Sequence, residues 1–328
     1  MVDKLDNGMD GVPLVTIGLT CFNASDTIDR ALKSALAQDW KNLEIIIVDD
    51  LSTDGSSDLV AAAISNEPRA RLIQHDVNKG PAITRNTILN AARGEYLAFF
   101  DDDDESLSER ISTQILCLSD YERKTGARLV ACFASGERHY DNGYVLDLQA
   151  IGSRTEGVPH GPDLAEYLLV YRRRPHWFYG FGTPTCALLA RCSTFREVGR
   201  FDEQLRRFED ADFAVRLALI NGHFIGTREK LFIQYSTSAE DKTAEIDLEA
   251  HLHIAENNEL FLRSIGFYYY ARHWPKLRYW HFKRRYGRFA LELIGLLIRH
   301  PFTTATHLLE TGPQRLRHEN RMRREAVS

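Results

Sequence analysis

The 328-residue chain has no run of 18 apolar residues, so no stretch of it is built to cross a bilayer as a helix. Its five cysteines (Cys21, Cys117, Cys132, Cys186 and Cys192) are odd in number and lack the paired spacing of zinc sites. With no leader-like segment at the start, they read as buried thiols in a reducing cytosol. No glycine-rich phosphate loop follows the first strand-like run, where the chain reads Cys21-Phe22-Asn23-Ala24-Ser25. Phosphate held by this protein must therefore be met by a cation and by basic side chains.

What is present is ordinary in bulk and uneven in distribution. Hydrophobic residues make up 44% and charged residues 27%, enough to build one large domain with appendages or two domains. Residues 272–328 hold 13 Lys and Arg against 4 Asp and Glu, although the whole chain carries −5. An acidic body joined to a basic tail implies that the two meet different partners.

The most informative stretch is Gly94-Glu95-Tyr96-Leu97-Ala98-Phe99-Phe100, which runs straight into Asp101-Asp102-Asp103-Asp104-Glu105. Four adjacent carboxylates repel one another, and holding them at a strand end costs free energy unless a partner is supplied. A divalent cation such as Mg²⁺ or Mn²⁺ is the simplest partner, and it would in turn hold substrate phosphates. A solvated acidic loop is the alternative. Position favours the cation, because open α/β sheets bind ligands at the carboxyl ends of their strands.

Strand-like runs at 14–20, 43–48, 71–74 and 96–100 alternate with helical patterns at 28–36, 57–65 and 82–92. Ser25 or Asp26 is the expected cap of the first helix. This alternation predicts βαβ units and a mainly parallel sheet. Beyond it come a helix over 106–124 with Leu107, Ile111, Ile115, Leu116 and Leu118 on its buried side, and a strand over 129–135. A glycine-rich loop and hairpin region (136–163), a short helix (164–171) and a strand near 185–190 follow.

Four motifs occur in register over the first hundred residues: Val15-Thr16-Ile17 with Phe22-Asn23, then Ile46-Ile47-Val48-Asp49-Asp50-Leu51-Ser52-Thr53-Asp54-Gly55. Asn78-Lys79-Gly80 with Arg85-Asn86 comes next, then the strand and aspartates after Gly94. The set resembles the opening of family 2 glycosyltransferases. That resemblance implies a GT-A fold, a Rossmann-like mixed, mostly parallel sheet flanked by helices, here with a C-terminal helical extension. It also implies a nucleotide-diphospho-sugar donor, a divalent cation (Mn²⁺ or Mg²⁺) and transfer with inversion. By the same resemblance Thr20, Phe22, Asn23, Asp49, Asp50 and Asp102 fall in the donor site, and Asp101 and Asp103 at the ends of the D-x-D motif. Asp103 and Asp101 are then the expected metal ligands.

Chemistry supports several of these positions independently. A carboxylate such as Asp49 or Asp50 accepts from a base imide or ribose hydroxyls, although either could instead cap the next helix. Lys79 and Arg85 could offset phosphate charge, Arg85 with a bidentate fork, or could be surface cations. A second acidic cluster, Phe208-Glu209-Asp210-Ala211-Asp212-Phe213, opens a helical pattern where acids also suit the helix dipole. Together with Gly199-Arg200-Phe201-Asp202-Glu203 it resembles the family's segment with the general base, which places the base at Asp210, with Glu209 as its orienter or as an acceptor contact. Trp177 and Tyr179, in the aromatic and basic run 172–182, are candidates for the acceptor wall, against ordinary packing as the alternative.

The expected organisation is a frayed 1–12 and a catalytic domain over 13–240, whose 13–104 half binds the donor and whose 105–240 half binds the acceptor. A helical extension over 241–314 and a charged, disordered 315–328 complete it. No Q-x-x-R-W segment is present, which separates the chain from processive polysaccharide synthases and favours a single transfer to a glycan or lipid-linked acceptor. The role of 234–238 stays open. In the tail, Phe282, Tyr286, Phe289, Leu293 and Leu296 share one helical face with arginines elsewhere, so residues 279–300 read as a helix on an anionic membrane surface, or as one packed on the domain or on a second subunit. No recognised nucleic-acid module accompanies the charge. The expected location is cytoplasmic, or peripheral on the inner membrane face. A nucleotidyltransferase and an inactive membrane-associated scaffold of the same fold are the competing readings.

Overall fold

The computed structural model describes residues 11–154, 157–236 and 243–324. Strands β1 (Val15–Cys21) and β2 (Leu43–Asp49) are almost wholly apolar and almost wholly buried, as parallel strands covered on both faces must be. Helix α1 (Ile28–Leu36) connects them. Helix α2 (Ser56–Ala63) leads to β3 (Ala70–Gln74), and α3 (Pro81–Ala91) leads to β4 (Tyr96–Phe100). These four strands lie parallel in the order β3-β2-β1-β4, so their carboxyl ends form one rim.

The direction then changes. A two-residue β5 (Glu105–Ser106) precedes α4 (Arg110–Thr125), and β6 (Val130–His139) forms a hairpin with β7 (Val145–Leu148). After α5 (Gly161–Val170), a 3-10 turn at Thr185–Ala187 enters β8 (Leu188–Arg191), which lies antiparallel between β4 and β6. Helices α6 (Cys192–Val198) and α7 (Glu209–Leu219) precede β9 (His223–Tyr235), parallel to β6 and antiparallel to β5. The full order, β3-β2-β1-β4-β8-β6-β9-β5, is a mixed sheet with one core on each face. Strand alternation divides the residues between them: Leu97 and Phe99 point into one core, Tyr96, Ala98 and Phe100 into the other.

Two glycines are required by geometry. Gly94 packs so closely on β1 that a Cβ would lie 2.6 Å from the Thr16 amide nitrogen. Gly80 takes φ +85° to turn into α3, whose first residue is Pro81.

Several expectations are corrected. The N-cap of α1 is Thr27, not Ser25 or Asp26, because the turn closing on the Ala24 carbonyl places the first helical residue at Ile28. The helix expected from 106 starts at Arg110, since Glu105 and Ser106 pair with Ile233 and Phe232. Leu116 lies on the exposed side of that helix.

The extension consists of α8 (Ala244–Asn257), α9 (Glu259–Ser264), α10 (Tyr268–Phe282), α11 (Tyr286–Arg299) and α12 (Pro301–Arg324). Its core joins Leu262, Tyr270, Leu277 and Leu296 to Val170 of α5. An Arg173–Glu310 ion pair at 2.7 Å and a Tyr171–His307 ring stack at 4.0 Å tie α12 to the body. Residues 315–324, expected to be disordered, continue α12; the run 315–324 holds no Gly or Pro to stop a helix. The single face expected to hold Phe282, Tyr286, Phe289, Leu293 and Leu296 does not exist. Arg284 takes φ +53° and breaks the helix, so Phe282 ends α10 while Phe289, Leu293 and Leu296 pack inward from α11. No helix among the described residues is long and apolar enough to cross a membrane.

Candidate active site

The rim formed by β1, β2 and β4 gathers the acidic motifs. Asp49 ends β2. One of its oxygens accepts the Ser52 N–H at 3.1 Å, while Oδ1 is buried without a hydrogen-bond partner. A buried carboxylate oxygen left unpaired is costly, and the loss is recovered when a ligand donates to it. The Cys21 thiol stands beside this carboxylate; burial chiefly, and the nearby charges of Asp102 and Asp49, push its pKa up.

Asp50 is different. It accepts His75 Nδ1 at 2.7 Å and the backbone N–H groups of Lys79 and Gly80 at 2.8 and 2.7 Å. Expected at the base or ribose, it instead holds the loop between β3 and α3, with both carboxylate oxygens engaged there. The Lys79 ammonium pairs with Asp76 at 3.0 Å on the surface. Asn23 clamps two loops, accepting the Thr53 N–H at 2.8 Å and donating its own N–H to Ser52 Oγ at 2.9 Å. Phe22 next to it is 47% exposed on the rim, and Thr20, one residue before the end of β1, is half-buried.

Arg85 is the cation of the site. Projecting from α3, its guanidinium contacts the Glu209 carboxylate and lies 3.3 Å from Asp101. Burial disfavours its charge, but Glu209, Asp101 and Asp210 outweigh that and keep it protonated. Glu209 and Asp210 open α7, after Phe208 turns the chain in the left-handed region. Both have raised pKa values, chiefly through burial and against the pull of Arg85. The Asp210 carboxylate accepts the Ala211 N–H at 2.7 Å.

The four aspartates point to different tasks. Asp102 accepts the Phe22 N–H at 2.8 Å, and burial pushes its pKa to about 8, with Asp103 and Asp101 adding to the rise. Asp103 receives Arg30 on its backbone carbonyl at 2.8 Å. Asp101, Asp104 and Cys186 bring ligand atoms within 4.8 Å of one another. Asp103, expected beside Asp101, is not in that group. Asp104 is buried and its pKa is raised well above the usual range, by burial first and then by Asp101 and Asp103. Even with two buried arginines nearby, Arg85 and Arg110, these carboxylates push one another's pKa up, and a hard divalent cation would offset the excess negative charge. The thiol of Cys186 suits such an ion poorly, and its pKa is raised, so the fit rests on the carboxylates.

Three contributors carried no readable signal. Gln234 at the end of β9 donates to Asp104 and Cys186, both at 3.2 Å, which gives a place to a segment left open above; Thr237 and Ser238 lie outside the described residues. Cys186 arrives from the 3-10 turn before β8. Fully buried Arg110 donates to the Phe99 carbonyl at 3.0 Å behind the cluster, its pKa lowered by burial to about 10. Sheet order brings Gln234 and Cys186 to the aspartates, while Arg110 follows them in the chain at the start of α4.

The acceptor candidates do not join the site. Tyr179 is 1% exposed, stacks on Tyr167 at 3.7 Å and takes the Arg174 N–H on its hydroxyl at 2.7 Å. Trp177 packs by His160, which stacks on His223 at 4.9 Å. His223 pairs with Val130 at the start of β6, the end of the sheet away from the aspartates. Ordinary packing claims both rings.

Residues 16–177 match the model of the family described as glycosyl transferase family 2. Among curated relatives, the Escherichia coli UDP-Glc:alpha-D-GlcNAc-diphosphoundecaprenol beta-1,3-glucosyltransferase WfaP is 42% identical over 102 residues, 31% of this chain and 40% of that protein. Matched segments span 30% to 42% of the length of the first such relatives. The Staphylococcus aureus TarS 1-349 structure in complex with UDP-GlcNAc is similar with TM-score 0.58 at 17% identity, over 85% of this chain and 79% of that one. The Pyrobaculum calidifontis mannosyltransferase PcManGT in complex with GDP-Man and Mn²⁺ is similar with TM-score 0.52 at 15% identity, over 96% and 84%. The strand order, the acidic rim and these matches agree on a GT-A fold, and the chain belongs to glycosyl transferase family 2.

Proposed function

We propose that the chain is a metal-dependent inverting glycosyltransferase. It moves a sugar from a nucleotide-diphospho-sugar, UDP-linked or related, to a hydroxyl of a glycan or lipid-linked acceptor in bacterial-type surface polysaccharide synthesis. The observation that carries the reading is the meeting of Arg85, Asp101, Glu209 and Asp210 beside the buried Asp104. The UDP-GlcNAc bound to TarS and the lipid-linked sugar in the name of the WfaP enzyme support the donor and acceptor classes.

Each residue has a part. Asp49 Oδ1, left without a partner, accepts from the base or ribose of the donor. Phe22 offers its exposed ring beside it. Asp101 and Asp104, with Asp103 adjacent, would hold Mn²⁺ or Mg²⁺, which when bound offsets charge on the departing nucleoside diphosphate. Arg85 fixes Glu209 and Asp101 against each other, so the carboxylates keep their spacing when substrates arrive. Asp210 takes the proton of the acceptor hydroxyl as that oxygen forms its bond to the anomeric carbon and the carbon–oxygen bond to the diphosphate breaks. The raised pKa of Asp210 makes it a better base than a surface aspartate.

The test is release of nucleoside diphosphate from a panel of UDP-, GDP- and dTDP-sugars with Mn²⁺, with and without lipid-linked acceptor. Acceptor-dependent release from one donor is expected; no release from any donor overturns the reading.

A further inference from the structure

Helix α11 has two apolar faces, and only one is covered. Phe289, Leu293 and Leu296 pack inward on α10, and Glu292 turns to His273 at 2.6 Å. The opposite side presents Tyr286, Ala290, Leu291, Ile294, Leu297 and Ile298 to the outside, with Leu291 at 72% and Ile298 at 75% exposure. At 100° per residue these positions form one arc of about 140° without a charged side chain. Phe302, 87% exposed, follows immediately on α12. A contiguous outward apolar arc of this kind marks a surface that meets something other than water.

The rim identifies the occupant. Lys283, Arg284, Arg285 and Arg288 crowd the amino end of the helix, and Arg299 stands at its carboxyl end, all exposed. Lys283 pairs with Glu245 at 2.5 Å, and Glu292, the acid of α11 itself, is engaged by His273 on the covered side. A second copy of the chain laid on the same face would bring two sets of these cations together. An anionic surface would neutralise them. With 14 residues, α11 is about 21 Å long, short of the ~30 Å needed to cross hydrocarbon, so it would lie in the plane of the interface.

We propose that the outer face of α11 docks the protein on an anionic phospholipid surface, with the apolar arc in the acyl boundary and the arginines among the headgroups. The inference stands independently of the donor or acceptor used at the catalytic rim.

Flotation of the full chain with vesicles tests it, using phosphatidylcholine alone and phosphatidylcholine with phosphatidylglycerol in equal parts. Binding should be at least about tenfold stronger to the anionic vesicles and weaken as salt is raised. The variant Leu291→Ser/Ile294→Ser/Ile298→Ser should lose about tenfold or more, and so should Arg284→Gln/Arg285→Gln/Arg288→Gln. All six side chains are outside the core, so both variants should keep the parent melting temperature and circular dichroism. Failure of the parent chain to float, equal flotation by either variant, or a salt-insensitive preference for neither lipid overturns the proposal. So does a dimer in sedimentation velocity that the serine variant dissolves while vesicle binding is absent.

Discussion

The Arg85 guanidinium lies against the Glu209 carboxylate, joining helix α3 of the first half of the sheet to the first turn of α7 in the second. The two are 124 residues apart in sequence, and both are largely buried. Removing the arginine leaves Glu209 and Asp101 as uncompensated charges. Arg85→Met should cost about 3–5 kcal/mol of stability by denaturant titration at neutral pH, and less at acid pH where the carboxylates protonate. A loss below 1 kcal/mol would mean that other groups neutralise the pair.

Asp210→Asn keeps the shape of the first turn of α7 but removes the proton acceptor. Acceptor-dependent transfer should fall by a factor of about 10² or more, with nucleoside diphosphate affinity unchanged. The check is a KM-against-kcat comparison; near-normal turnover would assign the proton to another group.

The adjacent aspartates at the end of β2 should separate cleanly. Asp50→Asn removes charge from hydrogen bonds to two backbone amides and His75, and should cost about 1–3 kcal/mol of stability. Asp49→Asn should leave stability within about 0.5 kcal/mol and weaken nucleotide affinity about tenfold or more. Calorimetric titration with UDP and a melting curve on each variant distinguish the two.

The buried His307 sets an acid limit on docking of the extension. Burial, with Arg278 nearby, lowers its pKa from 6.5 to about 3, while its ring stacks on Trp274 and Tyr171. The unfolded chain therefore binds the extra proton first. The contribution is fully present above about pH 6.5 and is lost progressively as pH falls toward 3, by about 2 kcal/mol at pH 5. His307→Phe keeps a stacking ring and cannot be charged, so its stability between pH 7 and 5 should be the flatter. An unchanged slope would show that other groups govern the acid limb.

How much of this was legible in the sequence follows from range. Local patterns were enough for β1, β2 and β4, because their apolar runs are short, unbroken and bounded by turns. The aspartate cluster was visible for the same reason. Division of labour within the acidic motifs was not: Asp49 and Asp50 are neighbours in the chain, yet Asp49 keeps one oxygen unpaired while Asp50 spends both on the segment between β3 and α3. Gln234 and Cys186 enter only through the pairing of β5, β8 and β9, which no local period encodes, whereas Arg110 lies six residues past Asp104 and is brought back by the turn into α4. Tyr179 and Trp177 show the opposite failure, since an aromatic run beside glycines reads the same whether it lines a cleft or fills a core. The break at Arg284 likewise split one apparent helical face into two.

The central claim is that the carboxylates behind Phe100 hold a divalent cation for a nucleotide diphosphate. Anomalous scattering from a crystal grown with Mn²⁺ and UDP tests it most directly. The account predicts one manganese peak in coordination distance of Asp101 or Asp103 and Asp104, touching the diphosphate. UDP bound at the rim with no metal peak there, or manganese only on surface carboxylates, would contradict it.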